Sequence, residues 1–160
     1  MNAVGRFMTN QSLAAKLSRG GIIAALYVGL VWALQPVSFG IFQFRAAEAL
    51  AVLPILFPEA VPALFIGVMI ANIAGGLGPW DIFGGSVVTL LAAYLTYVAR
   101  NTWLAYASPI VLNAFLISIY LSAIFNVPYW LSVLGIGISE TLVVLGLGVP
   151  LIKLLKARLR

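Results

Sequence analysis

Glu140 stands inside a long apolar stretch, about Tyr129 to Ile152, with no basic residue near it in sequence. Few other polar side chains interrupt such stretches. Arg45 and Glu48 lie three apart, which puts both on one helical face and lets them pair. Asp81 opens a fourth apolar run, Asn72 and Asn113 are lone amides in the third and fifth, and Gln35 and Gln43 flank a Pro-containing loop. An ionisable group inside a membrane span costs about 2.5–3.5 kcal/mol or more, and is kept where it has a task. The task these types suit is hydrogen-bonded capture of a polar molecule. A Glu carboxylate accepts two parallel N–H bonds from a guanine-like edge. A second carboxylate neutralises an ammonium, and the rings of Phe39, Phe42, Phe44, Trp80, Tyr129 and Trp130 are available to stack on a flat base.

Each residue also has a structural reading. Arg45 and Glu48 can be an ion pair that fixes the second helix. Asp81 can cap the fourth helix at the interface, and Asn72 and Asn113 can be interhelical hydrogen-bond glue. Glu59, in the turn from Phe57 to Pro62, reads as an interfacial cap, and single Trp and Tyr residues near span ends read as an interfacial belt. Glu140 resists such a reading best, because no base is at hand to pair with it.

The elements that must position these residues follow from composition. The chain has 160 residues, 63% hydrophobic and 8% charged, with a mean hydropathy of +1.12. Soluble domains carry about 25% charged residues, so the composition places this chain in a bilayer. Spans of about 20 apolar residues bound the count near six. There is no Cys and no His, which removes disulfides, thiolate and imidazole metal sites and the usual nucleophiles and bases. No G-x-x-x-x-G-K-[ST] occurs, so the chain has no P-loop for ATP. An intramembrane enzyme would have to run on carboxylates and Ser, and the single Asp excludes a paired-Asp protease. No cofactor or metal is expected.

Pro, Gly and charge divide the chain into six spans of an all-α polytopic membrane protein: about Gly20–Leu34, Phe42–Phe57, Ala60–Gly75, Asp81–Ala99, a fifth between Trp103 and Phe125, and Tyr129–Ile152. Residues 1–19 are expected as a cytoplasmic segment with a short interfacial helix, 20–152 as one six-helix domain, and 153–160 as a basic cytoplasmic tail. Eight of the nine bases then fall before the first span, at Arg100, or in the tail. Six spans put all of these on one side, and the positive-inside rule makes that side cytoplasmic, with both termini there. The net charge of +5 is therefore an orientation signal rather than a nucleic-acid footprint. Glu48, Asn72, Asp81 and Glu140 fall in the outer half, which points to a site open to the exterior of a multi-pass cell-membrane protein. In the first span Gly21, Ala25, Gly29 and Ala33 recur every four residues. Such a face lets another helix approach closely, either inside the protein or from a partner subunit.

Gln35-Pro36-Val37-Ser38-Phe39-Gly40, Gln43-Phe44-Arg45-Ala46-Ala47-Glu48-Ala49-Leu50, Pro58-Glu59-Ala60-Val61-Pro62, Ala71-Asn72 and Asp81-Ile82-Phe83-Gly84-Gly85-Ser86 together resemble the QueT (queuosine-precursor transporter) family. The resemblance covers about Gly20 to Leu155. It implies a six-helix substrate-binding (S) component of an energy-coupling factor importer. Such a protein takes a 7-deazaguanine, queuine or 7-aminomethyl-7-deazaguanine, from outside a bacterial or archaeal plasma membrane. It further implies partners: a transmembrane coupling subunit, docked on Gly21, Ala25 and Gly29, and two ABC-type ATPases. The implied binding set is Arg45, Glu48, Asn72, Asp81, Asn113 and Glu140, with Glu140 and Glu48 on the deazaguanine edge and Asp81 nearer the aminomethyl group. The competing expectation is a proton-coupled transporter or exporter of cationic compounds that uses Glu140 and needs no ATPase.

Overall fold

The computed structural model describes residues 12–35 and 44–159, and within them the chain is helical without a strand. Helix α1 is Leu13–Ala33, α2 is a 3₁₀ helix over Ala46–Ile55, and α3 is Ala60–Ala74. Helix α4 runs Trp80–Val98, opening with a π turn at Trp80–Gly85. Helix α5 is Leu104–Leu112, a π turn at Asn113–Ile117, then Ser118–Phe125. Helix α6 runs Tyr129–Arg158 with a π turn at Val144–Gly148.

Four of these, α1, α4, α5 and α6, are long and apolar enough to cross a membrane. The other two are shorter: α3 has 15 residues, close to the expected Ala60–Gly75, while α2 has 10 where the sequence predicts Phe42–Phe57. Helix α2 is enclosed on all sides, with every residue from Ala47 to Ile55 buried. It packs against all five other helices, so it need not present a lipid-facing flank. Its 3₁₀ winding, at about 2.0 Å per residue, stretches 10 residues to about 20 Å.

The first helix also starts earlier than the hydropathy pattern predicts. Ser12 caps it, its hydroxyl accepting the Ala15 N–H at 3.2 Å, so Lys16 and Arg19 lie on α1 itself and not on a separate interfacial helix. The expectation for 1–11 lies outside the described residues. Arg19 pairs with Glu59 and stacks over Phe57. Glu59 therefore ties the start of α1 to the α2–α3 turn; its side chain makes no cap bond.

Polarity is arranged inside out. Ile22 and Leu26 of α1, Val87 and Leu91 of α4, and Leu134 and Ile138 of α6 are exposed at helical spacing. Arg45, Glu48, Asn72, Asp81, Asn113 and Glu140 are buried. Soluble proteins rarely expose such continuous apolar surface; a lipid solvent accounts for it.

Two apolar cores result. One joins α1, α2, α3 and the later halves of α4 and α6 around Tyr27, Leu64, Val68 and Ile152. The other joins the facing parts of α4, α5 and α6 around Val88, Ile117, Val133 and Ile136. Helices α1 and α3 touch at Gly67, where an added Cβ would meet the Ala24 carbonyl and the Tyr27 Cβ, both at 3.2 Å. Backbone cannot yield there cheaply. Gly67→Leu is expected to destabilise the protein by about 1–3 kcal/mol, read as a lower unfolding temperature in detergent, whereas Gly21→Leu, with nothing within 4 Å, leaves it unchanged.

Candidate functional site: a buried carboxylate and amide cluster

Side-chain bonds across the bundle show how its parts come together. Tyr27 of α1 donates its hydroxyl to Glu48 near the start of α2. Tyr120, late in α5, donates to the Asp81 carboxylate, early in α4, at 3.1 Å. Gly148 of α6 and Val52 of α2 meet at 3.1 Å for an added Cβ. These contacts make successive helices run alternately up and down. They also collect the polar residues in the part of the bundle on the side of the turns at Gly75–Pro79 and Asn126–Pro128. Gly76 (φ 67°) and Asn126 (φ 53°) make those turns in the left-handed region, where Gly is free of a Cβ clash and Asn is the commonest substitute.

Asn72, 1% exposed, donates Nδ2 to the Asp81 backbone carbonyl at 2.7 Å. Asp81 sits in the π turn that opens α4, accepts from Tyr120, and makes no cap bond. The helix-cap reading of Asp81 is thereby corrected: the cap position is Pro79, and the carboxylate points into the protein, 6% exposed. Asn113 opens the π turn of α5 and donates Nδ2 to Glu140 Oε1 at 2.9 Å. Glu140 sits four residues before the π turn of α6, and its carbonyl accepts the Val144 N–H there. Glu48 and Glu140 are within electrostatic reach of one another, and Arg45 is within reach of both, of Tyr27 and of Tyr120. Each of the three π turns thus lies at or beside a buried acid or amide. Such turns widen the helix by one residue and recur at binding sites.

The unmet hydrogen-bonding capacity of this cluster has one sign. Glu48 Oε2, Asn72 Oδ1, Asn113 Oδ1 and Glu140 Oε2 are buried with no partner, and the only other such atom among the described residues is the Ser118 hydroxyl. Leaving a buried polar atom unpaired costs about 1–3 kcal/mol, more for a charged group. Four acceptors left open together describe the complement of a donor-rich guest. The carboxylates of Glu48, Asp81 and Glu140 outnumber the single guanidinium of Arg45.

The six candidate binding residues are therefore brought together inside the bundle, Asn72 and Asp81 beside the Gly75–Pro79 turn and Asn113 and Glu140 well along α5 and α6. The aromatic expectations divide differently. Phe39, Phe42 and Gln43 lie outside the described residues. Trp80 and Trp130 are 64% and 66% exposed and wall no buried site. Tyr129 donates to the Phe115 carbonyl at 3.3 Å. The aromatic groups that do reach the cluster are Tyr27 and Tyr120, which sequence reasoning missed, as it missed Ser118. A Tyr inside a span needs a hydroxyl partner, and that is the signal that marks both. Tyr120→Phe frees the Asp81 oxygen and is expected to lower the unfolding temperature by an amount equivalent to about 1 kcal/mol.

A separate groove of about 380 Å³ between α5 and α6 is lined by Ile110, Val111, Ala114, Phe115, Leu134 and Ile138 among others. Its one hydroxyl, on Thr141, is already bonded to the Gly137 carbonyl at 2.6 Å. A polar guest finds no partner there.

Apolar outer surfaces around an enclosed carboxylate and amide cluster define a helical membrane protein. A family model described as QueT transporter matches residues 17–157. The chain belongs to the QueT transporter family, and its role is accordingly transport. No curated protein and no solved structure matches it.

Proposed function

We propose that this protein is the membrane-embedded substrate-binding component of an energy-coupling factor importer and captures a 7-deazaguanine from outside the cell. The observation that carries this reading is the set of four unpartnered buried acceptors on Glu48, Asn72, Asn113 and Glu140. 7-Aminomethyl-7-deazaguanine offers ring N–H groups, an amino group and an ammonium, a donor set matching open acceptors and an excess of carboxylates. In this reading Glu140 and Glu48 accept from the guanine-like edge, Asp81 faces the ammonium, and Asn72 and Asn113 complete the set. The site end is exterior, both termini are cytoplasmic, and Lys16, Arg19, Arg100 and Lys153 lie toward the inner face, consistent with the positive-inside rule.

The exposed stripe on α1 supports an assembly with partners. Gly21, Ala25, Gly29 and Ala33 all face outward, and among the described residues nothing lies within 4 Å of a Cβ placed on Gly21 or Gly29. Internal packing does not use this face, so it is free for the coupling subunit, which brings the two ATPases that a chain without a P-loop requires.

Reconstitution tests the reading. Vesicles holding this chain, the coupling subunit and both ATPases should take up 7-aminomethyl-7-deazaguanine only with ATP. Uptake through this chain alone, driven by a pH gradient, would overturn the assignment in favour of a proton-coupled carrier using Glu140.

A further inference from the structure

We propose that Tyr27 is a positioning residue of this site, acting through Glu48; the inference rests on the reading of the cluster as a ligand site. Tyr27 is wholly buried, and its hydroxyl donates to Glu48 Oε1. Glu48 Oε2 is left without a partner in the same buried space. A hydrogen bond to a carboxylate is among the stronger ones, so this bond selects the side-chain orientation that keeps Oε1 on α1 and Oε2 open to a guest.

The backbone behind Tyr27 cannot drift away from that task. Gly67 of α3 lies against it so closely that an added Cβ would approach the Tyr27 Cβ and the Ala24 carbonyl to 3.2 Å. The ring is thus held from behind by direct contact of two helix backbones. On the other side, Glu48 sits on the enclosed 3₁₀ helix α2, itself packed against every other helix. Neither partner has room to withdraw, and preorganised geometry of this kind is what turns a carboxylate into a directional acceptor.

Tyr27 also occupies a telling place on its own helix. The face of α1 bearing Ile23, Tyr27 and Val31 is buried, whereas Gly21, Ala25 and Gly29 are exposed. One helix therefore carries the residue that holds Glu48 on one face and the small-residue stripe on the other.

A double-mutant cycle separates positioning from simple packing. Tyr27→Phe keeps the ring and removes the hydroxyl, which donates to Glu48 and also accepts from Arg45. Binding of 7-aminomethyl-7-deazaguanine to purified protein should weaken about tenfold in Tyr27→Phe, the size of one charge-assisted hydrogen bond. In a Glu48→Ala background the same change should alter affinity less than twofold. The unliganded unfolding temperature should follow the same pattern, falling clearly more with Tyr27→Phe alone than when Glu48 is already Ala. Equal losses in both backgrounds, or unchanged affinity in Tyr27→Phe, would overturn the proposal. If the unsubstituted protein bound no deazaguanine, the reading of the ligand would fall instead. The unfolding cycle would then decide by itself whether Tyr27 acts through Glu48.

Discussion

Glu140→Gln is expected to lower the affinity for 7-aminomethyl-7-deazaguanine about 100-fold while leaving the unliganded protein at least as stable as before. The two effects have one cause. Glu140 is 6% exposed, with Oε1 bonded to Asn113 and Oε2 unpartnered. In the empty protein that is an unfavourable arrangement, because a buried charge without sufficient partners carries a desolvation cost. A Gln amide removes the charge and supplies a donor for a neighbouring acceptor such as Asn113 Oδ1, itself unpartnered. Unfolding temperature should therefore hold or rise. A guest that donates N–H groups, by contrast, loses an anionic acceptor and meets a donor in its place. Losing one charged hydrogen bond and adding a clash of like donors costs about 3 kcal/mol, roughly 100-fold at 1.4 kcal/mol per decade. Calorimetric titration and thermal unfolding on the same preparation check both halves. Unchanged affinity would remove Glu140 from the binding set; a parallel fall in stability would assign it to the scaffold.

Ala25→Leu with Gly29→Leu is expected to do the opposite, sparing binding while abolishing uptake. Both positions face away from the core, and Gly29 has open space where a Cβ would go. Replacing a helical Gly by a better helix former is worth about 0.5–1 kcal/mol of helix stability, so the protein should fold at least as well. Two Leu side chains on that face nevertheless hold a partner helix off, because close approach depends on the small residues. The assembled importer should lose transport at least tenfold and fail to retain this chain on purification of the coupling subunit, with ligand affinity unaltered. Wild-type uptake in this variant would place the docking surface elsewhere on the protein.

The two variants address opposite faces of the logic that the sequence itself displays. Charge is so scarce in this chain that Glu48, Asp81 and Glu140 stand out by type alone. The sequence points to a site open to the exterior and the structure encloses all three, whereas their standing as a set was legible. So was the all-helical class, from apolar runs separated by Pro, Gly and charge. The local helix geometry was not. Periodicity does not distinguish a 3₁₀ from an α conformation in a segment apolar on every side, and Ala46–Ile55 is such a segment. Nor does it mark where one extra residue widens a helix into a π turn at Asp81, Asn113 or Val144.

Other misses came from trusting general tendencies over particular residues. Lys16 and Arg19 look like a membrane boundary, which hid the Ser12 cap that starts α1 at Leu13. Trp80 and Trp130 face outward, which agrees with their reading as an interfacial belt and not as walls of a site. The tyrosines that do enter the cluster, Tyr27 and Tyr120, are hard to mark in the sequence because an aromatic ring in a span reads as bulk. Their hydroxyls needed acceptors, and the nearest buried acceptors were the acids themselves.

The central claim, that the buried acceptor cluster holds a donor-rich deazaguanine, meets its most direct test in native mass spectrometry of the purified protein titrated with 7-aminomethyl-7-deazaguanine. The account predicts one added ligand mass per chain, saturable and lost in Glu140→Gln. A spectrum with no added mass at saturating ligand, or an adduct of equal occupancy in Glu140→Gln, would contradict it.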